Sequence, residues 1–275
     1  MQLGIFAKTF PGKTAREALG AVKTAGFQSA QYNLACSGLP SMADEVPDSV
    51  IAEIAAAVKE TGVELVALSA TWNMAHPDKS GRENGLRQLR VMAPAAQALN
   101  IPLITLCTGT RDAEDQWRHH PDNTTPEAWA DMCECMAKAL SIAEQAGVSV
   151  GVEPELGNVV SSAAKAKQLL LEMKSKHLKI VLDAANLFES EGLRDQRHIV
   201  SQAAELLSGS IAMAHAKDRK ADGSFVAAGQ GMLDYPHFLN ALRAAGFDGP
   251  LITHGLSVDE APGVAKFLSN LTQKV

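Results

Sequence analysis

Glu153, Asp183 and His215 each stand at the downstream end of a short apolar run: Val148-Ser-Val-Gly-Val-Glu153, Lys179-Ile-Val-Leu-Asp183 and Ser210-Ile-Ala-Met-Ala-His215. A fourth run, Pro250-Leu-Ile-Thr-His254, ends the same way. The four residues lie about thirty to forty positions apart, the length of one strand-loop-helix-loop unit in a chain of parallel strands. In a barrel of such units their side chains converge on one rim. Two carboxylates and two imidazoles around a common centre make a mixed oxygen and nitrogen site, suited to one divalent ion (Zn, Mn, Co or Fe) rather than to a thiolate-loving metal. Any one of them alone could end a strand because the chain is leaving the core; four of ligand type on consecutive strands favour a metal. Glu155 competes with Glu153 for the ligand role. Alternation puts both on the same side of an extended strand, while Pro154 ends regular pairing and leaves Glu155 in the loop.

The elements that must hold these residues are marked by their punctuation. Ala25-Gly-Phe27, Thr61-Gly-Val63, Leu99-Asn-Ile101, Ala146-Gly-Val148 and Ala245-Gly-Phe247 each place Gly or Asn where a helix ends left-handed and an apolar run follows. From those points the expected strands are Leu3–Ala7, Ser29–Asn33, Glu64–Ser69, Pro102–Cys107, Ser149–Glu153, Lys179–Asp183, Ile211–His215 and Pro250–His254. Most of these runs do not alternate, as expected of strands covered on both faces. Thr14-x-x-Glu17 and Ser257-x-x-Glu260 read as capping boxes, and Thr125 before Pro126 as a helix start. The pattern predicts a single α/β domain over residues 1–275, a closed (β/α)₈ barrel. Thr108 to Thr125 is too long for a plain connection and is expected to shape the site.

Composition narrows the partners. A net charge of −6 gives no general attraction to nucleic acid or to anionic membranes. The apolar start is too short for a signal peptide and no run is long enough to span a bilayer, so a cytoplasmic protein is expected. The four cysteines, Cys36, Cys107, Cys133 and Cys135, lack zinc-ribbon spacing and read as inert thiols. A homo-oligomer is compatible with the sequence.

Hydrophobic-Glu153-Pro, Leu-Asp183, Ala-His215-Ala-Lys217-Asp218, Gly229-Gln-Gly231-Met-Leu-Asp234-Tyr and Gly246-Phe-Asp-Gly-Pro250 together resemble the xylose isomerase-like TIM barrel superfamily of sugar and sugar phosphate isomerases and epimerases. The resemblance extends over nearly the whole chain, since Leu3-Gly-Ile-Phe6 and the Ala-Gly-Phe27 helix ending fit as well. It implies one divalent metal (Mn, Zn, Co or Mg) held by Glu153, Asp183, His215 and the residue at position 254. In the family that fourth ligand is usually a second Glu that also moves a proton; here it is His254, which can coordinate equally well. The family's frequent Asp-x-x-His is Asp183-x-x-Asn186, which places an amide where a substrate-binding imidazole stands. The implied activity is isomerisation or epimerisation of a small sugar, sugar phosphate or polyol ketone by proton abstraction and an enediolate. Glu153 would be the base, with His254 or Lys217 relaying the proton on the other side. A lyase or dehydratase on the same scaffold is the alternative, as is a catalytically inactive barrel with a binding role. An abasic-site endonuclease would need further His and Asp ligands and a basic groove.

Residues after the other strands are candidates for substrate contact. Trp72, in Trp72-Asn-Met-Ala-His76, could stack on a sugar or fill the core, and His76 lies on the same rim. Arg111 could clamp a carboxylate or phosphate through its planar fork. Gln230 sits in a glycine loop where such barrels often bind phosphate on backbone N–H groups, or where the glycines merely allow a turn before a helix capped by Asp234. Lys217 shares the side of His215 and is expected either to bind substrate or to pair with Glu153 or Glu155. Glu155 and Asn186 complete the candidate substrate contacts.

Overall fold

Eight parallel strands close into a ring in the computed structural model, which describes residues 1–189 and 194–273. They are β1 Gln2–Phe6, β2 Ser29–Tyr32, β3 Glu64–Ser69, β4 Leu103–Leu106, β5 Ser149–Val152, β6 Leu178–Asp183, β7 Ile211–Arg219 and β9 Pro250–Thr253, with a short strand β8, Phe225–Ala227, lying outside the ring. Each pairs with the next in order, and β9 closes on β1 with Leu3 opposite Leu251. Helices α1 Ala15–Thr24, α2 Asp48–Thr61, α3 Lys79–Ala98, α4 Pro126–Ala146, α5 Ala163–Met173, α6 Gln196–Leu206, α7 Tyr235–Ala244 and α8 Ala261–Thr272 alternate with the strands. Among the described residues no helix is long and apolar enough to cross a membrane.

The punctuation does what its chemistry requires. Gly62 and Gly147 end α2 and α4 at φ of +72° and +69°, where a Cβ would be strained, and Asn100 takes the same region at +57° after α3. Thr14 and Glu17 form the reciprocal capping box of α1, and Thr125 accepts from the Ala128 N–H at the head of α4. The second box is different: Glu260 binds the Ser257 N–H and hydroxyl, but α8 begins only at Ala261. That pair closes a turn ahead of the helix rather than capping it.

The ring has an apolar floor. Val66, Leu103, Val181, Met213 and Ile252 fill its interior, and at Gly151 a Cβ would already come 3.0 Å from Val181 Cγ2. Outside, helices cover the strands with fully buried side chains such as Leu89 and Leu239, each contributing about 1.5–3 kcal/mol by its removal from water. One strand runs further than its apolar segment predicts. β7 continues past His215 to Arg219 because Lys217, Asp218 and Arg219 pair antiparallel with Ala227, Val226 and Phe225. The turn between them carries Asp222-Gly223, a hairpin signal in the sequence, with Gly223 at φ of +86°.

Candidate metal and active site

Above the apolar floor six of the eight strands, or the residues directly after them, send two side chains inward, two residues apart. The pairs are Phe6 and Lys8 from β1, Gln31 and Asn33 from β2, and Ser69 and Thr71 from β3. On the other half they are Thr105 and Cys107, Glu153 and Glu155, and His215 and Lys217. Alternation of side chains along an extended strand produces this spacing, and strand ends at the downstream face of a barrel turn it into a cavity. The cavity holds about 500 Å³, a volume that suits a small ligand. The long stretch after β4 reaches it through Gln116 and Trp117.

At its base the donor atoms of Glu153, Asp183, His215 and His254 all lie within 4.8 Å of one another. Strand register places Asp183 directly opposite His215, and the His215 and His254 rings are 4.4 Å apart between centroids, tilted by 55°. Asp183 gives one carboxylate oxygen to the Ala185 N–H at 2.9 Å and turns the other, Oδ2, to within 3.4 Å of His254 Nε2. His215 donates its Nε2 hydrogen to Gln31 Oε1 at 2.9 Å, which leaves Nδ1 as the unprotonated nitrogen of the neutral ring. That Nδ1 is buried and lacks a hydrogen-bond partner, although Glu153 Oε2 is only 3.0 Å away, because the two are not aligned for a bond. A buried lone pair and two carboxylate oxygens converging beside a second imidazole fit a divalent ion, whose tetrahedral ligands stand about 3.4 Å apart at bonds of about 2.0–2.2 Å. The residues present therefore suit the group that the donor set implies.

Charge in the cluster is set by pairing against burial. Burial opposes ionisation of Asp183, yet Lys217 and then His254 hold its carboxyl well below the usual range. Burial likewise opposes charge on Glu153 and His215, and the attraction between them works against it, leaving Glu153 lowered and His215 raised, the same attraction by which a cation would take a proton's place on Nδ1. Burial and then the neighbouring His215 push His254 down, which keeps it neutral and able to donate a lone pair. Glu155 is displaced the opposite way: burial and then Glu153 raise its carboxyl to about 7.

Lys217 pairs differently from either expected partner. Its ammonium reaches Asp183 Oδ2 at 3.3 Å and Asn186 Oδ1 at 2.9 Å rather than Glu153 or Glu155, and lies 3.9 Å from the centre of the Phe225 ring. Asn186 passes the contact on, donating to Glu153 Oε1 at 2.6 Å. One amide thus ties the lysine to the glutamate, and Asn186 lines the cavity as well.

Four residues picked from the sequence for substrate contact point elsewhere. Trp72 is 7% exposed and packs over Gly85 of α3, where any side chain would collide with its ring. His76 is held under the rim, its Nε2 3.1 Å from the Ala113 carbonyl oxygen. Arg111 donates to the Ala75 carbonyl and forms an ion pair with Asp131 at 2.8 Å. Gln230 lines a different groove, beside Asp259 and Gly263. For Trp72, His76 and Arg111 the missing information was a partner distant in sequence. The cavity residues that were overlooked, Gln31, Asn33, Ser69, Thr71 and Thr105 among them, carry a readable signal: strand alternation continued through two more positions.

A family model described as xylose isomerase-like TIM barrel matches residues 19–269. Among solved structures, the 3-keto-D-glucoside 4-epimerase YcjR from E. coli is 19% identical, covering 99% of this chain and 99% of its own with a TM-score of 0.77. A D-tagatose 3-epimerase-like protein is 16% identical over 100% of this chain and 98% of its own, TM-score 0.77. The IOLI protein, solved with a binding zinc atom, is 16% identical over 100% and 99%, TM-score 0.75. No curated protein matches the sequence significantly.

Proposed function

The chain belongs to the xylose isomerase-like TIM barrel family, and from that premise we propose that it is a divalent-metal-dependent isomerase or epimerase of a small sugar, sugar phosphate or polyol ketone. The observation that carries this reading is the convergence of Glu153, Asp183, His215 and His254 at the base of a polar cavity, with the His215 Nδ1 lone pair unpartnered. Solved structures of the same fold that include a sugar epimerase and an epimerase-like protein, and one solved with zinc, support it. Held by those four residues, a divalent ion would draw electron density from substrate oxygens and make the hydrogen beside a carbonyl more acidic.

The proton chemistry then falls to the residues above the ligands. Both oxygens of Glu153 are engaged, one by Asn186 and the other beside His215. Glu155 lines the cavity on the same face, and among the described residues no hydrogen bond joins its carboxylate to a neighbour. Glu155 thus takes over the role of base that the sequence assigned to Glu153. Lys217, fixed as an ammonium by Asp183, presents positive charge and a proton to a substrate oxygen. A general base at the right distance contributes about 10²–10⁴ in rate. The test is metal analysis of the purified protein combined with proton exchange of ketoses in deuterated water. Metal-dependent exchange that disappears with chelator is expected; exchange unaffected by chelator rules the reading out.

A further inference from the structure

Around the rim, most of the groups suited to holding a phosphate are already bound within the chain, chiefly to its own carboxylates. Near the end of β7, Asp218 accepts from the N–H groups of Arg219 at 2.8 Å and, in the glycine loop that follows, Leu233 at 2.9 Å and Gly229 at 3.0 Å. It is 1% exposed, and a side chain on Gly231 would run into its carboxylate. The anion nest that this glycine loop builds is filled from within. Arg111 closes on Asp131, and Lys217 on Asp183 beneath Phe225. Arg219 donates to the Ala185 carbonyl and lies against the same Phe225 ring.

What faces the cavity is mostly neutral: Asn33, Ser41, Ser69, Thr71 and Gln116, with Trp117 at 47% exposure. Amides and hydroxyls exchange hydrogen bonds with sugar hydroxyls in either direction, and an indole face covers a sugar's C–H surface. A phosphate dianion would instead meet Glu153 and Glu155, with the charge of Lys217 already balanced by Asp183 and no arginine fork turned toward it among the cavity-lining residues described.

We infer that the cavity takes an uncharged polyhydroxy ketone, a free sugar or cyclic polyol ketone, and discriminates against its phosphate ester. This rests on the reading of the site as a metal-dependent isomerase. Lys8, exposed at the cavity wall, is the lining cation that no carboxylate holds among the described residues, so the experiment includes it. Metal-loaded protein is titrated with free ketohexoses and cyclic polyol ketones, each beside its phosphate ester, with binding read by ligand-observed NMR and turnover by deuterium exchange. At least one free ketone should bind, with its ester at least about tenfold weaker, as an unpaired charge in such a site requires. Inorganic phosphate should not displace it, and Lys8→Met should leave the preference unchanged.

An ester that binds as tightly as its free ketone overturns the inference. So does an ester that binds wild type more tightly than Lys8→Met, because the cavity wall would then be an anion subsite, and so does failure of every free ketone to bind. Preferential binding of a free ketone with no exchange on any ligand would remove the isomerase reading and leave the ligand class standing. Exchange on esters alone would do the reverse.

Discussion

The Nε2 hydrogen of His215 is held by Gln31 Oε1, 2.9 Å away across the barrel, and the Gln31 amide nitrogen is in turn anchored on Thr105 Oγ1 at 3.0 Å. The carbonyl end of that amide can only accept, so it selects the ring tautomer whose Nδ1 lone pair faces Asp183, Glu153 and His254. Partners of this kind orient metal-binding imidazoles in other proteins.

Gln31→Leu should therefore weaken binding of Zn²⁺ by about 10–100-fold while the fold is kept, as loss of such a partner does elsewhere. Gln31→Glu, which still accepts the hydrogen, should retain the affinity. Competition against a chromogenic chelator measures both. Equal affinity in wild type and Gln31→Leu would show that the tautomer is set by something else.

Purified protein should carry about one divalent ion per chain, and Asp183→Ala and His215→Ala should each lose it without losing the barrel. Chelation should lower the melting temperature of wild type, since metal at one hundred times its Kd stabilises a folded state by about 2.7 kcal/mol. The two variants should show no such response. Full metal occupancy in both would make the convergence of donors coincidental.

Glu155→Gln should keep its metal and lose proton exchange by about 10²–10⁴, the usual contribution of a general base. Glu153→Gln should lower metal retention first. If Glu155→Gln exchanges protons at the wild-type rate, the base returns to Glu153.

Lys217→Met removes the ammonium that neutralises Asp183 beneath Phe225. Without metal the loss should cost about 3–5 kcal/mol in urea unfolding, because a buried carboxylate is left short of countercharge. Added Zn²⁺ should recover part of that loss by supplying positive charge at the same oxygen. A cost that is the same with and without metal would mean that ion and lysine do not share Asp183.

Away from the cavity, Asp234 caps α7 by accepting from the His237 N–H at 3.0 Å and pairs with Arg197. Partial burial opposes its charge, but these bonds hold its carboxyl below the usual range. A depressed pKa in the fold means that the stabilisation is complete above the ordinary aspartate range and is lost as pH falls through the folded value. Asp234→Ala should cost about 1 kcal/mol at neutral pH, the usual worth of such a cap. The difference from wild type should shrink in acid. A difference independent of pH would place the effect in packing rather than in the charge.

The barrel was legible because its signals are local. Apolar runs, left-handed stops such as Gly62 and Gly147, and the Thr14 capping box are each decided within a few residues. The four donors were legible because a strand end in such a barrel points at the cavity whatever else surrounds it. Arg111 and His76 read in the sequence as cavity residues but turn to Asp131 and Ala113, which come close only on folding, and Gln230 falls in a separate groove beside Asp259. Trp72 was one of two readings, and its contact with Gly85 settled it. Gln31 drew no notice because an amide in a strand has no distinctive chemistry until an imidazole faces it.

The two-residue spacing of the inward pairs also separates two kinds of evolutionary freedom. At the end of β5 and on β7 the lower member belongs to the cluster of four convergent donors, Glu153 or His215, and the upper one, Glu155 or Lys217, sits nearer the mouth. Substitutions at Asn33 or Thr71 can therefore change what the cavity recognises without altering a donor atom below. Such a scaffold can diversify its ligands by drift at the upper positions while one inorganic centre is inherited intact, so a library confined to those positions should change ligand preference long before it changes metal content.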